Sequence, residues 1–334
     1  MPTYYLVSDP RGSVNDEFRP EYEHTDNPSK ANIERIFEAI QNSGYSCTQF
    51  GGVYSLIDAI STGYRFPNDA TILNFSDGLS QSYSRVQVPV LCEVLGINYS
   101  GTGVFGSALM NNKYCTNLVL QKEEIKSPSS LRATKHYIPE VGDIEQLLPA
   151  FIKPNAEGSS LGITQDSLQE NVDGVIGQIG KLLTQFDEVI VEEYIAGSDI
   201  TVFLIGNEGT FLCDEAICIT SDNSEFLTGD LKANRQVQRE LAANVIGNDL
   251  CETIHAQSKR AFRALGCRDY ARFDFRVTEN SQIYFIEANS CPRISPTSEL
   301  GFIALMNHTS FDFYVGLLIR VIEERIKKEQ TFQS

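Results

Sequence analysis

The stretch RFDFRVTENSQIYFIEANSCPRISPTS, residues 272–298, holds two runs in which polar and apolar side chains alternate, separated by a polar turn. This alternation is typical of β-strands and predicts a hairpin. Arg272 and Asp274 share one face of the first strand, and Glu287 and Asn289 share one face of the second. If the two faces coincide, three oxygen ligands lie beside a guanidinium, which suits a hard cation such as Mg²⁺. The alternative is a solvated face with surface ion pairs.

Two further stretches predict a phosphate site and a nucleoside site. In FIKPNAEGSSLG, residues 151–162, a predicted strand delivers Lys153 to a loop of small residues. Backbone N–H groups, serine hydroxyls and a lysine charge suit phosphate oxygens, although a surface turn with an incidental lysine is the alternative. In VIVEEYIAGSD, residues 189–199, a strand ends at paired carboxylates, and the turn after it could bind a purine edge and a ribose. The three stretches together predict a site for Mg-ATP between two lobes.

The composition limits the class of protein. The chain has 334 residues, which suggests two or three domains, and 27 Lys plus Arg against 44 Asp plus Glu give a net charge of −17. That charge argues against nucleic-acid and anionic-membrane partners. The N-terminus lacks the features of a signal peptide, and the apolar stretch 313–322 is too short to span a bilayer. Eight cysteines without metal-site spacing indicate reduced thiols, so we expect a cytoplasmic protein.

The pattern of predicted elements indicates an α/β fold, with α+β character in the C-terminal part. Strand and helix patterns alternate through the N-terminal third, which favours an open sheet. Strands dominate after residue 188, and long helices are predicted at 237–265, broken near Gly247, and at 309–328. Changes in composition suggest three regions, which we place at residues 1–102, 103–191 and 192–334.

A glycine motif raises an alternative function. Gly101, Gly103 and Gly106 match the dinucleotide fingerprint G-x-G-x-x-G between a predicted strand and a helix, which would indicate a nicotinamide-dependent oxidoreductase. The motif follows the first α/β unit instead of opening one, however. We therefore favour the interpretation that these glycines form a connection between domains.

The three site stretches, together with LGINYSGTGVFGSALMNNK at residues 95–113, resemble the sequences of ATP-grasp enzymes of the D-alanine–D-alanine ligase family. The resemblance covers nearly the whole chain and is weakest in the N-terminal third. It implies a three-domain ATP-grasp fold with ATP held between the central and C-terminal domains. It also implies an ATP-dependent, ADP-forming ligase that makes a carbon–nitrogen bond through an activated donor oxygen.

The same resemblance assigns roles to individual residues. The ATP contacts it implies are Lys113, Lys153, Glu157, Ser159, Ser160, Glu192, Ile195 and Asp199. The Mg²⁺ ligands are Asp274, Glu287 and Asn289, for two ions that Mn²⁺ could replace. The catalytic residues are Arg272, Ser159 and Lys232, and the substrate residues are Arg293, Ser298 and Arg85.

Departures from the family pattern affect the substrate side. The family's N-terminal glutamate, which holds the first substrate's ammonium, has no equivalent in SDPRGS at residues 8–13, and the usual Lys-Tyr pair is Lys232-Ala233. Arg293 and Glu299 stand where the family has glycine and leucine. These changes favour a different donor, for example a mycosporine coupled to serine or threonine in natural product biosynthesis.

Two alternatives stay open at this point. One is a genuine D-alanine–D-alanine ligase of peptidoglycan synthesis, and the other is a nucleotide-binding regulator without turnover. In each enzymatic case the partners are a small-molecule donor and an amino acid acceptor, and the resemblance leaves a homodimer open.

Overall fold

The computed structural model describes residues 2–12, 27–79, 82–158, 160–207, 209–220 and 237–333. Its N-terminal part is a parallel sheet in the order β2-β1-β3-β4, covered by helices. The elements are β1 (Thr3–Val7), α1 (Lys30–Asn42), β2 (Cys47–Gly51), α2 (Val53–Thr62), β3 (Ala70–Asn74), α3 (Gln87–Leu95) and β4 (Asn98–Tyr99). The predicted open α/β sheet is confirmed.

The first helix shows why these residues fold as they do. Ile33, Ile36 and Ile40 recur at helical spacing and are buried against the sheet. The side chain of Ser29 caps the helix by accepting from the N–H of Asn32 at 3.2 Å. The chain leaves the helix at Gly44, where a φ of 88° favours glycine.

The chain after β4 forms two helices, α4 (Val104–Asn111) and α5 (Lys113–Lys122). Asn112 separates them and caps α5 by accepting from the N–H of Cys115 at 2.9 Å. The apolar side chains of α4 and α5 pack on the C-terminal sheet, although the boundary placed at residue 102 groups them with the central region.

The central region is an antiparallel sheet in the order β5-β8-β6-β7 with its own apolar core. Its elements are β5 (Ser130–Thr134), α6 (Val141–Glu145), β6 (Ala150–Pro154), β7 (Leu168–Gln169), α7 (Val172–Leu183) and β8 (Glu188–Glu193). Because β8 runs to Glu193, the sheet extends slightly beyond the predicted boundary at residue 191.

The C-terminal region carries an antiparallel sheet in the order β11-β10-β9-β12-β13. The strands are β9 (Ser198–Asn207), β10 (Thr210–Thr220), β11 (Gln238–Leu241), β12 (Tyr270–Val277) and β13 (Ile283–Asn289). The helices are α8 (Ala242–Ile246), α9 (Asn248–Ala264), α10 (Glu299–Met306) and α11 (Phe311–Gln333). The predicted helix at 237–265 is wrong at its start, because residues 238–241 pair with β10 as a strand.

The N-terminal and C-terminal regions share one apolar core, in which Leu6 and Ile36 pack in the same cluster as Phe203 and Leu318. Within the described residues, no single helix is both long and apolar enough to cross a membrane. Of the described helices, only α10 and α11 taken together have the length and composition of a span, and a bend of 111° separates them. The shared core fixes the N-terminal sheet against the sheet that carries the hairpin.

Candidate active site

The hairpin of β12 and β13 brings its polar residues to one face. Arg272 lies opposite Asn289 and Asp274 lies opposite Glu287, so the four side chains project from the same side of the sheet. The alternating residues Phe273 and Ala288 point the other way and are buried in the core. The polar faces of the two strands therefore coincide, as the predicted cation site requires.

Asp274 is held in place by its neighbours. Arg272 donates from Nε to Oδ1 at 3.1 Å and from Nη2 to Oδ2 at 2.9 Å. The hydroxyl of Thr201, on β9, donates to Oδ1 at 2.9 Å. Burial disfavours the charge of Arg272, but the carboxylates of Asp274, Glu299 and Glu287 outweigh it and raise the pKa of the guanidinium.

Lys113, at the start of α5, reaches the same face from the other side. Its ammonium lies 3.8 Å from Oε1 of Glu287 and donates to the carbonyl of Glu157. Burial lowers the pKa of Lys113, and the charge of Glu287 partly offsets this effect. The helix α5 and the loop after β6 therefore meet at the hairpin.

Lys153 lies on β6, opposite Ile190 of β8. Its ammonium forms a buried ion pair of 2.6 Å with Oε2 of Glu192. The other carboxylate oxygen of Glu192 accepts from Nδ2 of Asn117 at 3.2 Å. In the loop that follows β6, Ser160 adopts a φ of 60°, which is uncommon for a residue other than glycine.

The turn between β8 and β9 is organised by Arg276. Its guanidinium donates to both carboxylate oxygens of Asp199, at 2.8 and 3.3 Å, and to the carbonyl of Ile195 at 2.6 Å. It also lies over the ring of Tyr194, 5.4 Å from the centroid. The turn is thereby fixed to β12, the strand that carries Arg272 and Asp274.

The N-terminal region closes one side of the site. Arg85 donates to Asp77 at 3.0 Å, and Tyr83 accepts from Nδ2 of Asn112, the residue before Lys113, at 2.8 Å. The thiol of Cys291, in the loop after β13, lies 3.7 Å from the carbonyl of Ser76. Tyr83 therefore contacts the residue before α5, and Ser76 contacts the loop after the hairpin.

A family model described as D-ala D-ala ligase C-terminus matches residues 121–320. The chain belongs to this family. Membership confirms the expectation of an ATP-dependent, ADP-forming ligase that makes a carbon–nitrogen bond.

The similar proteins and solved structures agree with this family assignment. A D-alanine--D-alanine ligase of Desulforamulus reducens is 29% identical over 247 residues, 70% of this chain and 76% of that protein. A D-alanine--D-alanine ligase of Fusobacterium nucleatum is 25% identical over 294 residues, covering 87% and 93%. The crystal structure of the Bacillus anthracis D-alanine--D-alanine ligase complexed with ATP matches at a TM-score of 0.75 with 20% identity, over 99% of this chain and 100% of that one. The VanG D-Ala:D-Ser ligase of Enterococcus faecalis matches at 0.71 with 18% identity, over 96% and 98%. The expected ATP-grasp fold is confirmed.

Two of the substrate residues predicted from the sequence lie in the loop after β13. Arg293 is exposed, whereas Ser298 is buried and exchanges hydrogen bonds with Ser295, at 3.1 and 2.8 Å. Among the other predicted residues, Ser159 and Lys232 lie outside the described part of the chain.

The sequence did not predict the contacts that Glu299 makes in the ligase. This buried carboxylate, at the start of α10, lies 3.3 Å from Arg239 and 4.0 Å from Arg272. Burial opposes its charge, but the two guanidinium groups outweigh burial and lower its pKa. Glu299 therefore links the edge strand β11 to the hairpin arginine.

We expect Glu299→Gln to reduce the free energy of unfolding by about 1–2 kcal/mol near neutral pH. The free energy of unfolding should also fall less in the variant than in the wild type when the pH is lowered. Because the folded pKa of Glu299 is lowered, its contribution is present above the unfolded pKa and is lost as the pH falls. Urea unfolding of variant and wild type between about pH 6 and about pH 3.5 measures this contribution to the free energy of unfolding. The difference between variant and wild type should narrow as the pH falls, and a constant difference would contradict the assignment.

The donor set suits a hard cation. Asp274 and Glu287 supply carboxylate oxygens and Asn289 an amide oxygen, the ligands that Mg²⁺ prefers. Within the described ranges no three His, Cys, Asp or Glu side chains group together, so a site here depends on the asparagine and on oxygens from water or substrate. The residues therefore fit Mg²⁺ bound together with a nucleotide.

Proposed function

We propose that the protein is a D-alanine–D-alanine-type ligase, which uses Mg-ATP to join two amino acids. The observation that carries the proposal is the shared face of Arg272, Asp274, Glu287 and Asn289, with the ammonium of Lys113 3.8 Å from Glu287. Oxygen ligands for a cation, the guanidinium of Arg272 and the ammonium of Lys113 thus lie together, at the place where the loop after β6 meets the hairpin.

The proposed roles follow from this arrangement. Lys113 and Lys153 neutralise the phosphates of ATP, and Glu157 and Ser160 belong to the loop that covers them. Glu192 and Ile195 face the adenine, and Asp199, oriented by Arg276, binds the ribose. Asp274, Glu287 and Asn289 would hold Mg²⁺, which on binding screens the charge of the phosphates.

The reaction forms an acyl phosphate and then an amide. An oxygen of the donor carboxylate attacks the terminal phosphorus of ATP, and ADP leaves. The amine of the second amino acid attacks the acyl carbon, phosphate leaves, and the amine loses a proton. Arg272 stabilises the negative oxygen that develops at the acyl carbon, since its guanidinium is already held at the hairpin face by Asp274.

Asp77 and Arg85 are proposed to face the amino acid substrates. Asp77 and Arg85 form an ion pair, and their opposite charges suit the ammonium and the carboxylate of an amino acid. Their neighbours Tyr83 and Ser76 contact the residue before α5 and the loop after β13. Asp77 could supply the carboxylate that the N-terminal glycine-rich turn lacks. Arg293 and Ser298 lie in the facing loop and are proposed to contact the acceptor.

The comparisons give no support to a mycosporine substrate or to natural product biosynthesis. The relatives are named D-alanine--D-alanine ligases, which favours the alternative left open by the sequence, so we place D-alanine first as both donor and acceptor. The cytoplasmic location and the homodimer stay predictions.

We expect D-alanine to stimulate ADP release from ATP, with D-alanyl-D-alanine as the product identified by mass. Parallel reactions with D-serine, L-serine and L-threonine, each alone and paired with D-alanine, identify the acceptor. A mycosporine paired with serine tests the other donor. If ATP binds but no amino acid stimulates ADP release, the protein is a nucleotide-binding regulator and the proposed function is wrong.

A further inference from the structure

Asn117 has a buried acceptor that no described residue satisfies. The residue lies on α5, one helical turn after Lys113, and is 1% exposed. Its Nδ2 donates to Glu192 at 3.2 Å, but its Oδ1 is buried and has no hydrogen-bond partner among the described residues. Neither the family comparison nor the sequence assigns Asn117 a role.

The neighbours of Asn117 fix which way its amide points. A carboxylate only accepts hydrogen bonds, so the amide must present its NH₂ group to Glu192. The other oxygen of that carboxylate is occupied by Lys153 at 2.6 Å. Rotating the amide would place two oxygens in contact and lose the bond to Glu192. The acceptor Oδ1 is therefore held away from Glu192.

A buried acceptor without a donor is costly, and native proteins keep such groups mainly where a ligand or water satisfies them. The donor that fits here belongs to the ligand of the proposed site, because Asn117 contacts Glu192, near the end of β8 and two residues before the turn that would hold the base. Adenine carries an amino group at position 6, which donates. Guanine carries an oxygen there, which would face Oδ1 as a second acceptor.

We infer that Oδ1 of Asn117 accepts a hydrogen bond from the 6-amino group of the bound adenine and selects ATP over GTP. This inference rests on the proposed nucleotide site and adds a specificity residue to it. Asn117 lies on the same buried face of α5 as Lys113, so one helix presents a lysine to the phosphate end of the site and an amide to the base end.

The test measures binding to the whole protein, by titration calorimetry with Mg²⁺ present, of ATP, GTP and purine riboside triphosphate, which lacks the 6-amino group. We expect wild type to bind ATP about fivefold to tenfold more tightly than purine riboside triphosphate. In Asn117→Leu that preference should disappear and the discrimination against GTP should weaken. Losing the bond to Glu192 affects all three ligands alike, so only the ratio reports the base contact.

Thr116→Val is the matched control. It changes the adjacent buried residue of α5, whose hydroxyl donates to the carbonyl of Leu109 at 2.7 Å, and should leave the ATP preference unchanged. Asn117→Ala, which needs less space, is measured in the same way if the leucine variant does not fold. If neither variant folds, the wild-type ratio decides.

Equal wild-type affinity for ATP and purine riboside triphosphate would overturn the inference, as would a variant that loses affinity for all three nucleotides by the same factor. The second result would mean that Asn117 acts only through Glu192. Failure of the wild type to bind any of the three would contradict the proposed function itself, and the two failures are therefore distinguishable.

Discussion

Glu287→Gln should lower kcat by at least about 100-fold and leave the fold intact. The carboxylate of Glu287 lies opposite Asp274 on the hairpin and 3.8 Å from the ammonium of Lys113. Glutamine keeps the size and an oxygen but removes the charge that a cation requires. ADP release at saturating ATP and D-alanine, over a range of Mg²⁺ concentrations, measures the loss, and Tm reports the fold.

Asp274→Asn should show a comparable loss of kcat with some loss of stability, because Asp274 also accepts from Arg272 and Thr201. The matched control is Asp214→Asn on β10, whose partly exposed carboxylate pairs with Lys259 at 2.6 Å. That variant should keep the wild-type kcat. A Glu287→Gln enzyme with near-normal turnover at every Mg²⁺ concentration would remove the metal assignment.

The hairpin was predictable because a two-residue period is a local property of the sequence. The alternation predicts which residues of each strand share a face, but not whether the two faces coincide, since that depends on the turn and on irregularities in pairing. Here the register shifts between Asp274 and Phe275, and this irregularity leaves Asp274 opposite Glu287. The nucleotide site depends on that register.

Long-range contacts account for what sequence reasoning missed. Residues 238–241 resemble the start of a helix locally, but hydrogen bonds to β10 make them an edge strand. Glu299 stood out in the sequence only as a departure from the family pattern. Its contacts were not predictable, because its partners Arg239 and Arg272 are distant in sequence. Asn117 had one usable signal, its position four residues after Lys113 on the same helical face.

The glycine motif shows how a local match can have another cause. Gly101 has a φ of 82°, and a Cβ on Gly106 would approach the carbonyl of Leu265 to 2.6 Å. The backbone conformation therefore favours glycine at position 101, and the close approach of α4 to the C-terminal region requires it at position 106. The interpretation as a connection between domains explains them without a nicotinamide cofactor.

Asp269→Asn should lower the free energy of unfolding by about 3–5 kcal/mol, because it breaks a buried ion pair within the C-terminal region. The arginine of this pair also donates to the carbonyl of Tyr99 at 2.7 Å, in the N-terminal region. Asp269 is 0% exposed, and Arg325 on α11 donates to its two oxygens at 2.8 and 3.0 Å. The N–H of Gly101 and the amide of Asn207 donate to the same carboxylate. Asparagine tolerates the backbone φ of 65° at this position, so the charge is the main change.

Urea unfolding at neutral pH measures the loss, and two further variants show that the buried charge causes it. Glu329→Gln removes the half-exposed partner of Arg325 and should cost less than about 1 kcal/mol. Asp269→Asn combined with Arg325→Met should be more stable than Asp269→Asn alone, because the uncompensated guanidinium is gone. If Asp269→Asn unfolds like the wild type, water or another acceptor satisfies Arg325, and the charge of Asp269 does not stabilise the fold.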